Sequence, residues 1–458
     1  MSSSSVQQQG EQRLGKPVLT TLDAIAQSMA IGPVFSAVAL GALIAGAAGK
    51  GSTFVTVLGL IAALCTGWVL SVYARKYAGA GAAYEYLRRA GGQGIGIFSA
   101  FLYWIGITFL GITGLYLIFG VIASGAIAGN FGLELPWYVY AIAAIILITI
   151  ANYIGVKTTT RAQLLLTVIS IIPFIVVALA ILVKGGAQGH TLSAFLPSSD
   201  GSVFAGLLMA LSLFVGFEAA AALGEETAEP FKSIPRAIIG TVILSGIFYL
   251  LIIYASTIGF GVDKIGDWAK DPSPFSTLGG QYVGAWITPI LDIALLLDMV
   301  AVASTSMISL TRIWYALAGH GILPKALANT TARNSLGTGT FVAAAIALLV
   351  VIIIAASGAD PMQVFGITTN TGILLINIVF ALLALFVFRV IPADARKWWH
   401  YVAMLVALVV PVLATYGVLS TPGAFEWPAN LVLIFNVLVA VVGLVMALLH
   451  KGKQTELI

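Results

Sequence analysis

The strongest constraint in this sequence is a train of apolar runs, each about as long as a helix must be to cross a hydrocarbon layer, with short polar loops between them. A core ~30 Å thick takes about 20 helical residues at ~1.5 Å each. Such runs extend over Leu22 to Ala48, Phe54 to Tyr73, Ile95 to Ala123, Pro136 to Ile154, Leu164 to Val183 and Val203 to Leu223. They continue over Ala237 to Phe260, Trp286 to Ala316, Thr340 to Ala356, Val364 to Phe388, Tyr401 to Leu419 and Leu431 to Leu449. Composition agrees: 60% of residues are hydrophobic and 9% are charged, against about 25% charged in an ordinary soluble domain. The pattern predicts an all-α integral membrane protein with twelve transmembrane helices in one domain.

The basic residues predict its orientation, because cytoplasmic loops carry the excess of Lys and Arg. With the amino terminus inside, both tails and the even-numbered loops hold 18 of the 22 Lys and Arg residues; only Lys50, Lys184, Lys264 and Lys270 fall on the other side. This predicts a multi-pass protein of the cytoplasmic (cell) membrane with both termini in the cytosol. Met1 to Lys16 is rich in Ser and Gln, lacks an apolar core and reads as a disordered cytosolic tail. The positive charge is spread among loops rather than gathered on a soluble face, so nucleic acid is not an expected partner. Cys65 is the single cysteine, and His190, His320, His400 and His450 are scattered, so neither a disulfide framework nor a metal cluster is expected. No cofactor is expected either, and no nucleophile and base pair that would make an enzyme.

Two runs are interrupted at their centres. SMAIGPVFS in the first places Ile31, Gly32 and Pro33 mid-membrane, where proline removes a donor and crowds the preceding turn. The sixth places Gly216 and the carboxylate of Glu218 at a similar depth. The breaks stand 184 residues and five spans apart. Corresponding discontinuities in two halves point to an inverted-repeat transporter binding its substrate near the midplane, because unwound backbone in a membrane needs protein, water or ligand partners. The plainer alternative is a simple kink at Pro33 and a packing glycine at Gly216. An acid at membrane depth is a functional-site hypothesis in itself.

GFEAAAALGEETAEPFKSIPRAI (Gly216 to Ile238) resembles the signature of the amino acid, polyamine and organocation (APC) transporter superfamily. So do YARKYAGAGAAYEYLRRAGG (Tyr73 to Gly92), like that family's first cytoplasmic loop, and TRIWYALAGHGILPKAL (Thr311 to Leu327), with its Arg, aromatic and Gly-x-Leu-Pro pattern. The resemblance implies a 5+5 inverted repeat of the LeuT-like type with discontinuous helices 1 and 6, followed by two peripheral helices. Its divisions are repeat one at 20–184, repeat two at 200–388, peripheral helices at 398–450 and a cytosolic tail at 451–458. It further implies a substrate site built from Ser28, Met29, Ala30, Ile31 and Gly32 in the first span and Phe214, Val215, Gly216, Phe217 and Glu218 in the sixth. Free amides there hold a carboxylate and free carbonyls face an ammonium, which suits the polarity of helix ends.

The chain departs from that pattern in three places. A single Gly32 stands where many relatives have two glycines, Ser212 stands where many have a bulky aromatic gate, and Ser170 stands where several proton-coupled relatives have a lysine. Glu218 has three open roles: a structural carboxylate, a proton carrier, or a counter-ion to a substrate ammonium. Span eight adds a stripe of Asp298, Thr305, Ser309 and Arg312 on one helical face. Asp298 could pair with a cation, and Ser304, Thr305 and Ser306 could offer hard oxygen ligands to sodium. Ser309 is expected to bond its own helix backbone and Arg312 to anchor at the cytoplasmic face. Tyr103, Ile107 and Ser212 are gate candidates, and Thr368 to Thr371 are expected to make interhelical hydrogen bonds. The function expected is secondary active transport of a small amino acid or related amine by alternating access, as proton-coupled symport, with sodium as the other coupling ion considered. The alternative is an amine or polyamine antiporter with Glu218 as counter-ion.

Overall fold

The computed structural model describes residues 18–154, 156–198, 201–271, 273–331, 336–420 and 423–450. The two expected cytosolic tails, 1–16 and 451–458, lie outside them. Among the described residues the regular structure is all helical, apart from one isolated bridge between Leu19 and Thr227. In chain order the helices used below are α1 (Thr21–Met29), α2 (residues 33–48, with a wide-turned stretch at Ser36–Leu40), α3 (Ser52–Ala74), α4 (Ala83–Gly91), α5 (Gln93–Phe131), α6 (Trp137–Ile154) and α7 (Val156–Lys184). They continue as α8 (Val203–Ser212), α9 (Pro230–Phe260), α10 (Ile265–Lys270), α11 (Pro274–Tyr282), α12 (Thr288–Gly319), α13 (Gly337–Ser357), α14 (Pro361–Phe386), α15 (Trp398–Leu419) and α16 (Leu431–Leu449).

Helix ends follow local chemistry. Thr20 and Asp23 form a reciprocal capping box before α1, with the Asp23 carboxylate accepting the Thr20 N–H at 2.8 Å, which satisfies two otherwise orphaned donors. Pro230, Pro274 and Pro361 open α9, α11 and α14, at the one helical position where a missing N–H costs nothing.

Among the described residues, ten helical stretches are long and apolar enough to cross a membrane. The count departs from the expected twelve at two places. Thr21–Ala74 reads as one stretch of 54 residues because its interruptions are brief, and α8 is too short because its run unwinds after Ser212. The stretch Pro361–Arg389 has 67% of its most apolar window buried, whereas α16 has 22%. The first lies inside the bundle. The second presents Val437, Leu438, Val441 and Leu444 outward, as a lipid-facing helix does. Small residues let the inner helices approach closely: a Cβ on Gly372 of α14 would lie 2.6 Å from the Gly106 carbonyl of α5. Close backbone approach of this kind is how helices gain packing where water supplies no driving force.

Candidate substrate site at two helix breaks

α1 stops at Met29 because the chain turns left-handed at Gly32 (φ +74°) before Pro33 starts α2. No side chain fits at this turn, since a Cβ on Gly32 would stand 2.0 Å from Val302 Cγ2. The last bond of α1 runs from Ala30 N–H to Ala26 O at 3.0 Å. Among the described residues, the amides of Ile31 and Gly32 donate to no protein group and the carbonyls of Gln27, Ser28 and Met29 accept from none. One side of the break therefore offers carbonyls and the other offers amides, which favour a cation and an anion respectively.

The second break follows α8. Residues Leu213 to Glu218 run through turns, with Gly216 at φ +106°, and a tight helix resumes at Ala219–Leu223. Glu218 is almost wholly buried and both its oxygens are occupied: Oε1 accepts the Tyr103 hydroxyl at 2.8 Å and Oε2 accepts the Gly216 N–H at 3.0 Å. A side-chain hydroxyl ties the two breaks together, for Ser28 donates to Phe217 O at 2.8 Å and accepts from Ala220 N–H at 3.1 Å. The breaks also touch directly, as a Cβ on Gly216 would meet Ile31 Cγ2 at 3.0 Å.

Between them lies a cavity of ≈ 90 Å³. Of the positions expected at the site, Ala30, Ile31, Val215, Gly216 and Glu218 line it, as do the gate candidates Tyr103, Ile107 and Ser212 and the ion candidate Thr305. Ser28 instead braces the breaks, and Phe214 and Phe217 pack against Tyr249 and Phe380 respectively. Met29 and Gly32 shape the turn without lining the cavity. Ser170 and Asp298 also stand outside the lining but meet each other, with Ser170 Oγ 3.2 Å from Asp298 Oδ1. Asp298 Oδ2 accepts the Phe35 N–H of α2 at 2.8 Å, so this acid holds a helix end rather than facing the cavity.

Several expectations are corrected. Among the described residues Ser309 does not bond its own helix: its hydroxyl, like those of Thr305 and Thr369, lines the cavity without a protein partner. Thr368 and Thr371 bond carbonyls of their own helix rather than neighbouring helices. Ser304 is occupied by Asn152, and the Thr305 carbonyl receives Gln27 at 3.4 Å. Arg312 is no free anchor. It is buried and bidentate on Glu226, with N–O distances of 2.7 and 3.1 Å.

The two sides of the cavity differ. Phe365 and Thr369 line it and also line a second cavity of ≈ 1330 Å³ that reaches Asn130, Lys270, Asp271 and Asp292. Between the two spaces the rings of Phe35 and Phe365 meet edge to face at 6.4 Å. The opposite side is shut by the Arg312–Glu226 pair and by Leu19, whose N–H donates to Glu226 O and whose carbonyl accepts from Ala228 N–H, each at 2.9 Å. Sequence reading missed the Phe35–Phe365 contact and the partners Gln27 and Asn152; an isolated polar residue in an apolar run was the available signal for the last two.

An all-helical membrane body with two broken helices around a small, partly polar cavity has the architecture of a membrane transporter. Residues 19–450 match the family model described as amino acid permease, and the chain belongs to that family, whose members are transporters and not enzymes. It is 30% identical over 216 residues to the branched-chain amino acid permease BcaP of Bacillus subtilis, covering 46% of this chain and 44% of that protein. Against BcaP of Lactococcus lactis it is 24% identical over 357 residues, covering 73% of this chain and 75% of that protein. The chain thus spans less than half of the first of these relatives and three quarters of the second. Its fold is similar to that of a manganese transporter from Eremococcus coleocola, with a TM-score of 0.59, 14% identity and 94% of each chain covered.

Proposed function

We propose that the protein is a secondary active transporter that takes up a small amino acid, with an aliphatic side chain, together with a proton by alternating access. The observation that carries this reading is the first break, where unpaired amides of Ile31 and Gly32 and unpaired carbonyls of Gln27 to Met29 stand within a few residues of each other. Of these residues Ile31 lines the cavity, so the break offers amides to a carboxylate there and, one turn away, carbonyls to an ammonium. The remaining wall is largely apolar, with Ile107, Leu110, Val215, Val302 and Ile376, and the free hydroxyls of Thr305, Ser309 and Thr369 add polar contacts. The relatives named as branched-chain amino acid permeases support the same class. Glu218 is assigned a structural role, because both its oxygens already serve protein donors; this weighs against the amine antiporter, which needs a free counter-ion.

The same proposal includes twelve spans arranged as two inverted five-helix repeats and two peripheral helices. Its support is the pair of breaks at Gly32 and Gly216, both with left-handed glycines. The distribution of Lys and Arg supports cytosolic termini and a cytosolic Arg312–Glu226 side. The test is counterflow in proteoliposomes preloaded with leucine, valine, alanine or serine, with cadaverine and arginine as comparisons. Saturable counterflow of aliphatic amino acids, lost in Gly32→Leu, is the expected result. Counterflow of amines lacking a carboxylate, or wild-type binding by Gly32→Leu, would overturn the site.

A further inference from the structure

We infer that the proton is carried by Asp298, in a site shared with Ser170 and the amino-terminal end of α2, and not by Glu218. The inference rests on the reading above, that the substrate carries a carboxylate and is coupled to protons. It starts from hydrogen-bond accounting. The Ser170 hydroxyl has one hydrogen but two acceptors in reach, Thr167 O at 2.9 Å and Asp298 Oδ1 at 3.2 Å. With Asp298 charged, Ser170 can donate to the carboxylate. With Asp298 protonated, the new O–H donates to Ser170 Oγ while the Ser170 hydrogen turns to Thr167 O. A hydroxyl both donates and accepts, so either protonation state leaves every group at this site partnered. Phe35 N–H stays on Oδ2 throughout.

Glu218 lacks that freedom. Among the described residues Tyr103 has no hydrogen-bond acceptor but Glu218 Oε1, and Gly216 N–H needs Oε2. A proton on Glu218 would leave the Tyr103 hydrogen or the new O–H without a protein acceptor among the described residues, so that only the contents of the cavity could take it, whereas the Asp298 site needs no such help.

Placement supplies the coupling. Asp298 and the unpaired amides of Ile31 and Gly32 lie at one helix end: a Cβ on Gly32 would be 3.2 Å from Asp298 Oδ2. A substrate carboxylate on those amides and a charged Asp298 would be two anions sharing the amino-terminal end of α2. A proton on Asp298 removes the repulsion, so proton and substrate favour each other's binding reciprocally. The groups facing Asp298 are Ser170 from α7, the Phe35 and Val34 amides from α2 and the buried phenol of Tyr249 from α9. Of these only the phenol is an ionisable group. Asp298 also touches three helices at once, so its protonation is felt by α2 and hence by Phe35 at the contact with Phe365.

The experiment compares wild type, Asp298→Asn, Ser170→Ala and Glu218→Gln in proteoliposomes, reading both accumulation driven by an inward proton gradient and counterflow at equal pH. Asp298→Asn should lose accumulation while counterflow persists and no longer varies with pH. Glu218→Gln should lower both readings together. Accumulation by Asp298→Asn at the wild-type ratio overturns the inference, as does selective loss of accumulation in Glu218→Gln. If Asp298→Asn does not fold, Ser170→Ala decides: a reduced accumulation ratio with counterflow retained supports the shared site, and a wild-type ratio overturns it. Wild-type counterflow without any gradient-driven accumulation would sink the proton-coupled reading itself, which keeps the two failures distinguishable.

Discussion

The two ends of the cavity are closed by different physics. On one side a buried guanidinium and carboxylate, Arg312 and Glu226, meet through two hydrogen bonds, and the backbone of Leu19 is laced to the same segment. On the other, two phenyl rings touch edge to face and a large cavity lies beyond them. The first closure is specific and costly to half-undo, because a buried charge without its partner is strongly disfavoured. The second has no polar group to strand and is correspondingly weak. A molecule with one end closed by each means is poised to open at the aromatic side first. On the alternating access proposed above, the ion pair must separate as a unit, with both partners reaching water.

The largest effect expected follows from stranding one member of that pair. Arg312→Ala should destabilise the shut state by about 3–5 kcal/mol, leaving Glu226 buried and alone. In a Cys65→Ser background, a cysteine placed at Ser309 should then react with an impermeant maleimide from the Arg312 side, where it is protected in the parent. Continued protection would mean that the pair does not hold that end closed. At the other end, Phe365→Leu keeps apolar bulk but removes the ring contact, worth about 0.5–1.5 kcal/mol. Substrate dissociation from solubilised protein should speed by about 2- to 10-fold. An unchanged rate would show that the rings do not form the thin barrier, and would make the two ends more alike than proposed.

The weak end was the harder one to foresee from sequence. Both breaks were legible because Gly32, Pro33 and Gly216 are anomalous inside apolar runs, and the structure gives both glycines positive φ. Glu218 was legible as an acid at membrane depth, but not its partner: Tyr103 is 115 residues away and one aromatic among many. Phe35 and Phe365 carry no local signal at all, since phenylalanine is ordinary in a membrane helix and their contact depends on how α2 and α14 cross. Asp298 and Ser170 were each visible as polar residues in apolar helices. That they share a proton site with the Phe35 amide depends on three elements meeting, with 263 residues between Asp298 and Phe35. Arg312 was misread for a related reason: an arginine near the end of an apolar run looks like a surface anchor unless the acid across from it is known.

The smallest effect tests whether the shut end extends into the loop that covers it. The segment from Gly79 to Gly91 docks beside the second break, where Ala80 N–H donates to Glu225 Oε1 at 3.0 Å. Within α4 the buried Glu85 carboxylate receives Arg88 at 2.8 and 3.0 Å and also Arg89. Burial alone would push this carboxyl up, but the hydrogen bonds and charges of Arg88 and Arg89 outweigh it and hold the group below the usual carboxylate range. A carboxyl lowered in the folded state adds stability above its ordinary value, and that stability is lost as pH falls through the lowered one. Hydrogen exchange of α4 should therefore accelerate on acidification through that window, and the acceleration should vanish in Glu85→Gln. At neutral pH the substitution should cost only about 1 kcal/mol, since both arginines are partly solvated. If α4 loosens in acid while the Ser309 cysteine stays protected, the loop is a cover and the Arg312–Glu226 pair alone is the lock. If both respond together, the shut end is one cooperative unit, and the contrast with the two rings opposite becomes sharper still.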